Sequence, residues 1–299
     1  MYINLVCAND HNQIIPHGFQ IKSLISALED LGHSVFFNWM TPVYRTPGLS
    51  LVMGPILLVK FHKEYCASLI HSKAPYILHS TEMLREDLSG FNWWERDDFT
   101  SEEKALFLAL VEHSLSVWTG DHDSHIYKKI KSKVHVPKIG GTPNLAVIRK
   151  QRNPPIDVLF FGSMNEKRQR VLSTMQGRGI EVVALGYTDD IVRDQFVSAA
   201  KIVVSIHHTP ENLPYSIRSC YSHRLIYLAH HGITSVSDYA QARSSEIEQL
   251  FVHAPDESHT EVCIEVLKSG LWQDAGLRAN RILNKTSLAE QIEPLLQAL

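Results

Sequence analysis

Asp157-Val158-Leu159-Phe160-Phe161-Gly162-Ser163-Met164-Asn165-Glu166-Lys167-Arg168 is the stretch on which the reading of this chain turns. A short apolar run suited to one buried strand meets a glycine and a polar turn, and charged residues then open a helix that extends to about Arg178. Strand, glycine and helix amino terminus in that order begin a βαβ unit. The glycine lets the backbone approach a ligand, and the free amides of the first helical turn attract phosphate. Lys167 and Arg168 stand on that turn, where they could add charge-assisted hydrogen bonds to a diphosphate; the competing reading is a plain βα turn with two surface cations.

Outward from this point the alternation continues in both directions. Downstream the pattern predicts strands over 180–185, 201–206 and 233–236, helices over 190–200 and 216–230, and closing helices between about 261 and 299. Upstream, Ile148-Arg149-Lys150-Gln151-Arg152-Asn153-Pro154-Pro155 has the polar, basic, proline-ended character of a linker. Before it come an apolar strand over residues 1–8, a polar loop from Asn9 to His17, and a helix opened by Gly18 with Ile21, Leu24, Ile25, Leu28 and Leu31 on one stripe. Further strands are predicted over 33–37, 74–79, 114–118 and 134–137, with helices over 101–112 and 123–132 and a long loop over 91–99. The fold expected is α/β, with two Rossmann-like βαβ domains facing a central cleft. Their bounds are 1–148 and 156–299, joined by the linker 149–155, and the last helix is free to pack back on the first domain.

A second ligand-facing segment is Ser205-Ile206-His207-His208-Thr209-Pro210-Glu211-Asn212-Leu213-Pro214-Tyr215-Ser216-Ile217-Arg218, which runs from a strand's carboxyl end into a helix. Ser216 could cap that helix, and Arg218 could clamp a phosphate or pair with a carboxylate. The stretch 157–168 together with Arg193-Asp194 and the run Ser198 to His208 resembles the donor-binding domain of group 1 glycosyltransferases with the GT-B fold. Ser80-Thr81-Glu82, Val117-Trp118 before Asp121, and Val136-Pro137-Lys138-Ile139-Gly140-Gly141-Thr142-Pro143 resemble the amino-terminal half of the same proteins. The resemblance implies a glycosyltransferase that takes its sugar from a nucleotide-diphosphate donor, with no obligatory metal and no other cofactor. It departs from the family pattern at Ser205 and Ser216, and no pair of glutamates eight apart stands there. A nucleotide-sugar epimerase, or an inactive nucleotide-sugar-binding protein of this architecture, are the alternatives.

On this reading the donor is held by Gly162, Ser163, Asn165, Lys167, Arg168, His207, Tyr215, Ser216 and Arg218. The acceptor-side loop is Asp10, His11 and Gly18, and the general base for the acceptor hydroxyl is His17, with Glu82 second. Asp121-His122-Asp123 could hold a divalent ion through oxygen ligands, but two βαβ halves weigh against the metal-dependent one-domain glycosyltransferases that use such a pattern, so no metal site is expected. The pairs His207-His208 and His230-His231 lack ligands at zinc spacing.

The totals agree with a folded enzyme-sized protein. The chain has 299 residues, 44% of them hydrophobic and 20% charged, with net charge −3, so no general attraction to nucleic acid is expected; the basic run Lys128 to Lys133 reads as a solvated helix face. Four cysteines lie far apart without a C-x-x-C pair, and no export signal or membrane-length apolar run appears. We therefore expect a cytoplasmic protein whose partners are a nucleotide-sugar and an acceptor the sequence does not name.

Overall fold

The computed structural model describes residues 1–7, 11–38, 48–80, 100–119, 133–135, 139–186, 188–206, 223–238, 245–255 and 258–299; the side chains of 11–17, 38 and 245–246 lie outside the description. The chain divides into two compact units. The first comprises Met1–Ile14, Leu24–Lys138 and Ala289–Leu299, and the second Ile15–Ser23 and Ile139–Leu288.

In the first unit, β1 (Tyr2–Cys7), β2 (Ser34–Asn38), β3 (Leu49–Met53), β4 (Tyr76–Ser80), β5 (Ser116–Thr119) and β6 (Val134–His135) form one sheet in the order β2-β1-β3-β4-β5-β6. Every pairing is parallel. Strands β3, β4 and β5 are buried along their whole length, as a parallel sheet covered on both faces requires. Val6, Val52, Leu78 and Val117 share a core with α2 (Pro55–Phe61), α3 (Lys63–Ser72) and α4 (Ser101–His113).

Two sequence expectations change here. Helix α1 runs from His11 to Asp30, so the predicted loop over 9–17 is helical from His11 onward, and the helix does not wait for Gly18. Pro16 lacks the amide that an interior helical residue donates, which is why the local pattern read as a loop. The cost of an interior proline, about 3 kcal/mol, is outweighed in a helix that buries Ile21, Leu24, Ala27 and Leu28. The second change is the stretch 49–72, for which no element was predicted: it contains the apolar run Leu51 to Val59, interrupted by Gly54 and Pro55, and it folds into β3, α2 and α3. Gly54, at φ +60°, turns the chain out of β3, and Pro55 follows in the first turn of α2, where its missing amide costs nothing. The predicted helix over 123–132 and loop over 91–99 lie outside the described residues. No helix among those described is long and apolar enough to cross a membrane.

Helix α4 begins with a reciprocal cap. Thr100 Oγ1 accepts from the Glu103 amide at 3.2 Å, and Glu103 Oε2 accepts from the Thr100 amide at 2.8 Å. Two amides that the helix leaves without an internal partner are thereby bonded. Replacing Thr100 with alanine is expected to lower the unfolding free energy by about 1 kcal/mol in urea titration, and Thr100→Ser to retain most of it.

The second unit carries β7 (Ile156–Phe161), β8 (Val182–Leu185), β9 (Ala200–Ser205), β10 (Ser235–Ser237) and β11 (Val252–His253), all parallel, in the order β11-β10-β9-β7-β8. Its helices are α5 (Glu166–Gly177), α6 (Asp190–Ser198), α7 (His223–His230), α8 (Ser245–Glu248), α9 (His259–Ser269) and α10 (Ala275–Leu283); α11 (Leu288–Gln297) ends the chain's regular structure. From β7 the chain winds to β8 on one side, then crosses to lay down β9, β10 and β11 on the other. The direction of winding therefore reverses between β7 and β9, and open α/β sheets bind ligands beyond the carboxyl ends of the strands that flank such a reversal.

Candidate functional site

The turn after β7 lies at that reversal. Gly162 has φ +129°, a backbone region that side-chain-bearing residues rarely adopt. A Cβ built there would stand 2.9 Å from an Nη of Arg224, so a side chain at this position would push the guanidinium aside. Asn165, in extended conformation, caps α5 by accepting from the Arg168 amide at 2.9 Å.

Arg168 and Lys167 are not the surface cations of the plain-turn reading. Arg168 is buried, and its guanidinium donates to the Ile206 carbonyl at 2.9 Å and to the Ser163 carbonyl and hydroxyl at 2.7 and 2.8 Å, over the ring of Phe160. Ser163 follows β7 and Ile206 follows β9. One side chain thus ties together the two strand ends that flank the reversal, and its planar fork of donors suits that task. Lys167 Nζ lies 2.8 Å from Asp238 Oδ2, a carboxylate with 2% of its side chain exposed at the end of β10. The structure therefore brings Gly162, Ser163, Asn165, Lys167 and Arg168 together at the carboxyl end of the sheet, with Asp238 and Arg224 beside them.

Arg224 is the residue that the sequence reading passed over. It stands in the first turn of α7, its guanidinium 5.0 Å from the ring of Phe161 and 5.8 Å from that of Phe160. The sequence signal available was a cation on the helix that follows the polar loop after β9, and Arg218, nearer the loop, drew that role instead. Arg218, His207, Tyr215 and Ser216 lie outside the described residues, as do Asp10, Glu82 and Asp121-His122-Asp123. His11 and His17 lie on α1, with their side chains outside the description.

Gly18 lies within α1, and the Asp190 carboxylate stands 3.0 Å from where a Cβ would be. Around it Lys22 pairs with Asp190 at 2.8 Å, and Arg193 bonds both Asp190 at 3.0 Å and Asp194 at 2.9 Å. Tyr227 donates to Asp194 at 2.6 Å while its ring lies 4.3 Å from the Arg193 guanidinium. His231 Nδ1 accepts from the Ile148 amide at 3.0 Å, so its neutral tautomer is built into the fold. Burial, with the charges of His230, Arg193 and Lys22 adding to it, pushes the His231 pKa down to about 3; burial lowers His230 as well and raises the Tyr227 phenol.

Among the described residues no group of three or more His, Cys, Asp or Glu side chains could hold a metal ion. The rings of His230 and His231 pack on each other 4.8 Å apart, near perpendicular, as aromatic partners do.

No protein-family model and no curated protein sequence matches the chain. Solved structures do. An α-glucosyltransferase in complex with UDP and a 13-mer DNA containing a central A:G mismatch superposes with a TM-score of 0.61 at 9% identity, covering 99% of both chains. Anabaena Alr3699/HepE in complex with UDP-glucose gives 0.58 at 11% identity, covering 99% of this chain and 100% of its own. AviGT4, a glycosyltransferase involved in avilamycin A biosynthesis, gives 0.54 at 9%, covering 99% and 96%. This likeness establishes the fold: two Rossmann-like α/β halves of the GT-B class.

Proposed function

We propose that the chain is a glycosyltransferase that takes a sugar from a nucleotide-diphosphate donor, UDP-glucose being the first to test, and passes it to an acceptor hydroxyl without an obligatory metal. The observation that supports this most directly is a cationic, glycine-lined carboxyl end at the winding reversal of the second sheet, in a chain that matches structures carrying UDP or UDP-glucose along their whole length. What the three neighbours share in their descriptions is sugar chemistry and not one acceptor, so the proposal names a donor class and leaves the acceptor at a hydroxyl.

In this reading the diphosphate sits against Gly162 and the first turn of α5, and Arg224 is its principal side-chain cation, placed there by the two phenylalanine rings. Arg168 acts as a strut: its donors hold the β7 and β9 ends in register, and Lys167 does the same toward Asp238. During transfer the bond from the anomeric carbon to the diphosphate oxygen breaks and one to the acceptor oxygen forms. The acceptor proton passes to a base, His17 first and Glu82 second, and the charge that develops on the departing diphosphate is stabilised by Arg224 and the α5 amides.

The test is nucleotide binding. UDP is expected to raise the melting temperature of the purified chain in a dose-dependent way, with the shift retained in EDTA. A shift seen only with added divalent ion would remove the metal-independent part of the proposal, and no shift with UDP, GDP, dTDP, CMP or ADP would remove the whole.

A further inference from the structure

Helix α7 carries more than Arg224. One turn further along, Tyr227, His230 and His231 receive the ring of Phe19, with centroids 5.5, 5.1 and 5.7 Å away. Phe161 links the two ends of this arrangement. Its ring lies under the Arg224 guanidinium and meets Tyr227 edge-on at 6.2 Å. On α1, Phe19 is flanked by Gly18, whose backbone lies against Asp190, and by Lys22, whose amine pairs with Asp190 at the start of α6. Residues 18, 19 and 22 fall on one stripe of a helix. Together they bring that stripe onto α6 and α7, and Ile15–Ser23 accordingly belongs to the second unit.

We infer that Phe19 and Lys22 are positioning residues for the transfer step. The inference rests on the glycosyltransferase reading above. Helix α7 acts as a common ruler within the second unit: its first turn presents Arg224 to the donor, and its later turn packs on Phe19 of the segment Ile15–Ser23. His17 stands two residues before Phe19 on the same helix, so the place of its backbone is set from α7 as well. The donor-side turn has its own bonds, from Arg168 to Ser163 and Ile206 and from Lys167 to Asp238, whereas the turn that bears His17 is tied to the second unit through Phe19 and Lys22. A base that must reach the acceptor hydroxyl within hydrogen-bond distance is sensitive to displacement of that turn, since about 1 Å of misplacement can cost on the order of a hundredfold in rate.

The experiment uses the full chain with UDP-glucose and water as acceptor, reading UDP release for kcat and KM and calorimetry for UDP affinity. Phe19→Ala and Lys22→Asp, the latter setting a like charge against Asp190, are each expected to lower kcat about tenfold while UDP affinity stays within about twofold. Phe19→Tyr, which keeps the ring, is expected to remain near wild type. In a His17→Ala background Phe19→Ala is expected to cost nothing further, because a positioning residue has nothing left to position.

A Phe19→Ala loss carried by UDP affinity, an unchanged kcat, or full additivity with His17→Ala would each overturn the inference. Should Phe19→Ala fail to fold, Lys22→Asp keeps the test open, because Lys22 is 60% exposed and its pair is a surface one. Wild-type protein that binds no UDP would sink both readings, whereas wild-type binding with indifferent variants sinks only the positioning role.

Discussion

Arg224→Ala is expected to weaken UDP binding about thirtyfold. A charge-assisted hydrogen bond to phosphate contributes roughly 2 kcal/mol when its donor is already in place. Arg224 meets that condition, because its guanidinium lies over the rings of Phe160 and Phe161 and beside Gly162. Lysine at this position is expected to recover only part of the affinity, since an ammonium neither stacks on the two rings nor offers a fork of donors. Arg168→Ala should behave in the opposite way, losing stability first, because it leaves the Ile206 and Ser163 carbonyls of two neighbouring strand ends without their donor. UDP affinity unchanged in Arg224→Ala would refute the assignment of the diphosphate to this turn.

The second large effect is on stability in acid. His231 is buried with its Nδ1 committed to an amide, and its pKa falls from 6.5 to about 3. A histidine that stays neutral in the fold and takes a proton in the unfolded chain contributes stability above the unfolded pKa, and this contribution is lost as pH falls from about 6.5 toward 3. Between pH 7.5 and pH 5 the loss from His231 alone is on the order of 2 kcal/mol. His230, also lowered by burial, adds to it in the same direction. Urea titrations at the two pH values read the difference directly. His231→Phe should be less stable than wild type at pH 7.5, having left the Ile148 amide without its acceptor, yet show a shallower decline toward pH 5. A wild-type unfolding free energy flat across this range would contradict the assignment of a neutral buried imidazole.

Much of the architecture was legible before any coordinates. The strand-glycine-helix run at 157–178, the strand predicted over 201–206 and found as β9, and the helix predicted over 101–112 and found as α4 are all locally written, as apolar periodicity bounded by glycine, proline and capping residues. The stretch 49–61 failed to show because a fully buried strand and a largely buried two-turn helix offer no polar face to mark the period. Without alternation, β3 and α2 merge into one apolar run whose only punctuation is Gly54-Pro55. Helix α1 was shortened by Pro16, whose local cost is outweighed by the burial of Leu24 and Leu28 further along.

At the candidate site, the sequence by itself determined the place and the residue types: a glycine turn after a strand and a pair of cations at a helix amino terminus. What those cations do was decided only by tertiary structure. Arg168 is committed to Ser163 and to Ile206, 38 residues away, Lys167 is committed to Asp238, and Arg224 is brought beside Gly162 from 62 positions further along. The physical reason is one of range. Backbone hydrogen bonds and the alternation of burial are settled among near neighbours, so they leave a periodic trace in the chain. A guanidinium reaches whatever acceptors or rings the packed sheet sets within a few ångströms of it, and no local pattern records which those will be.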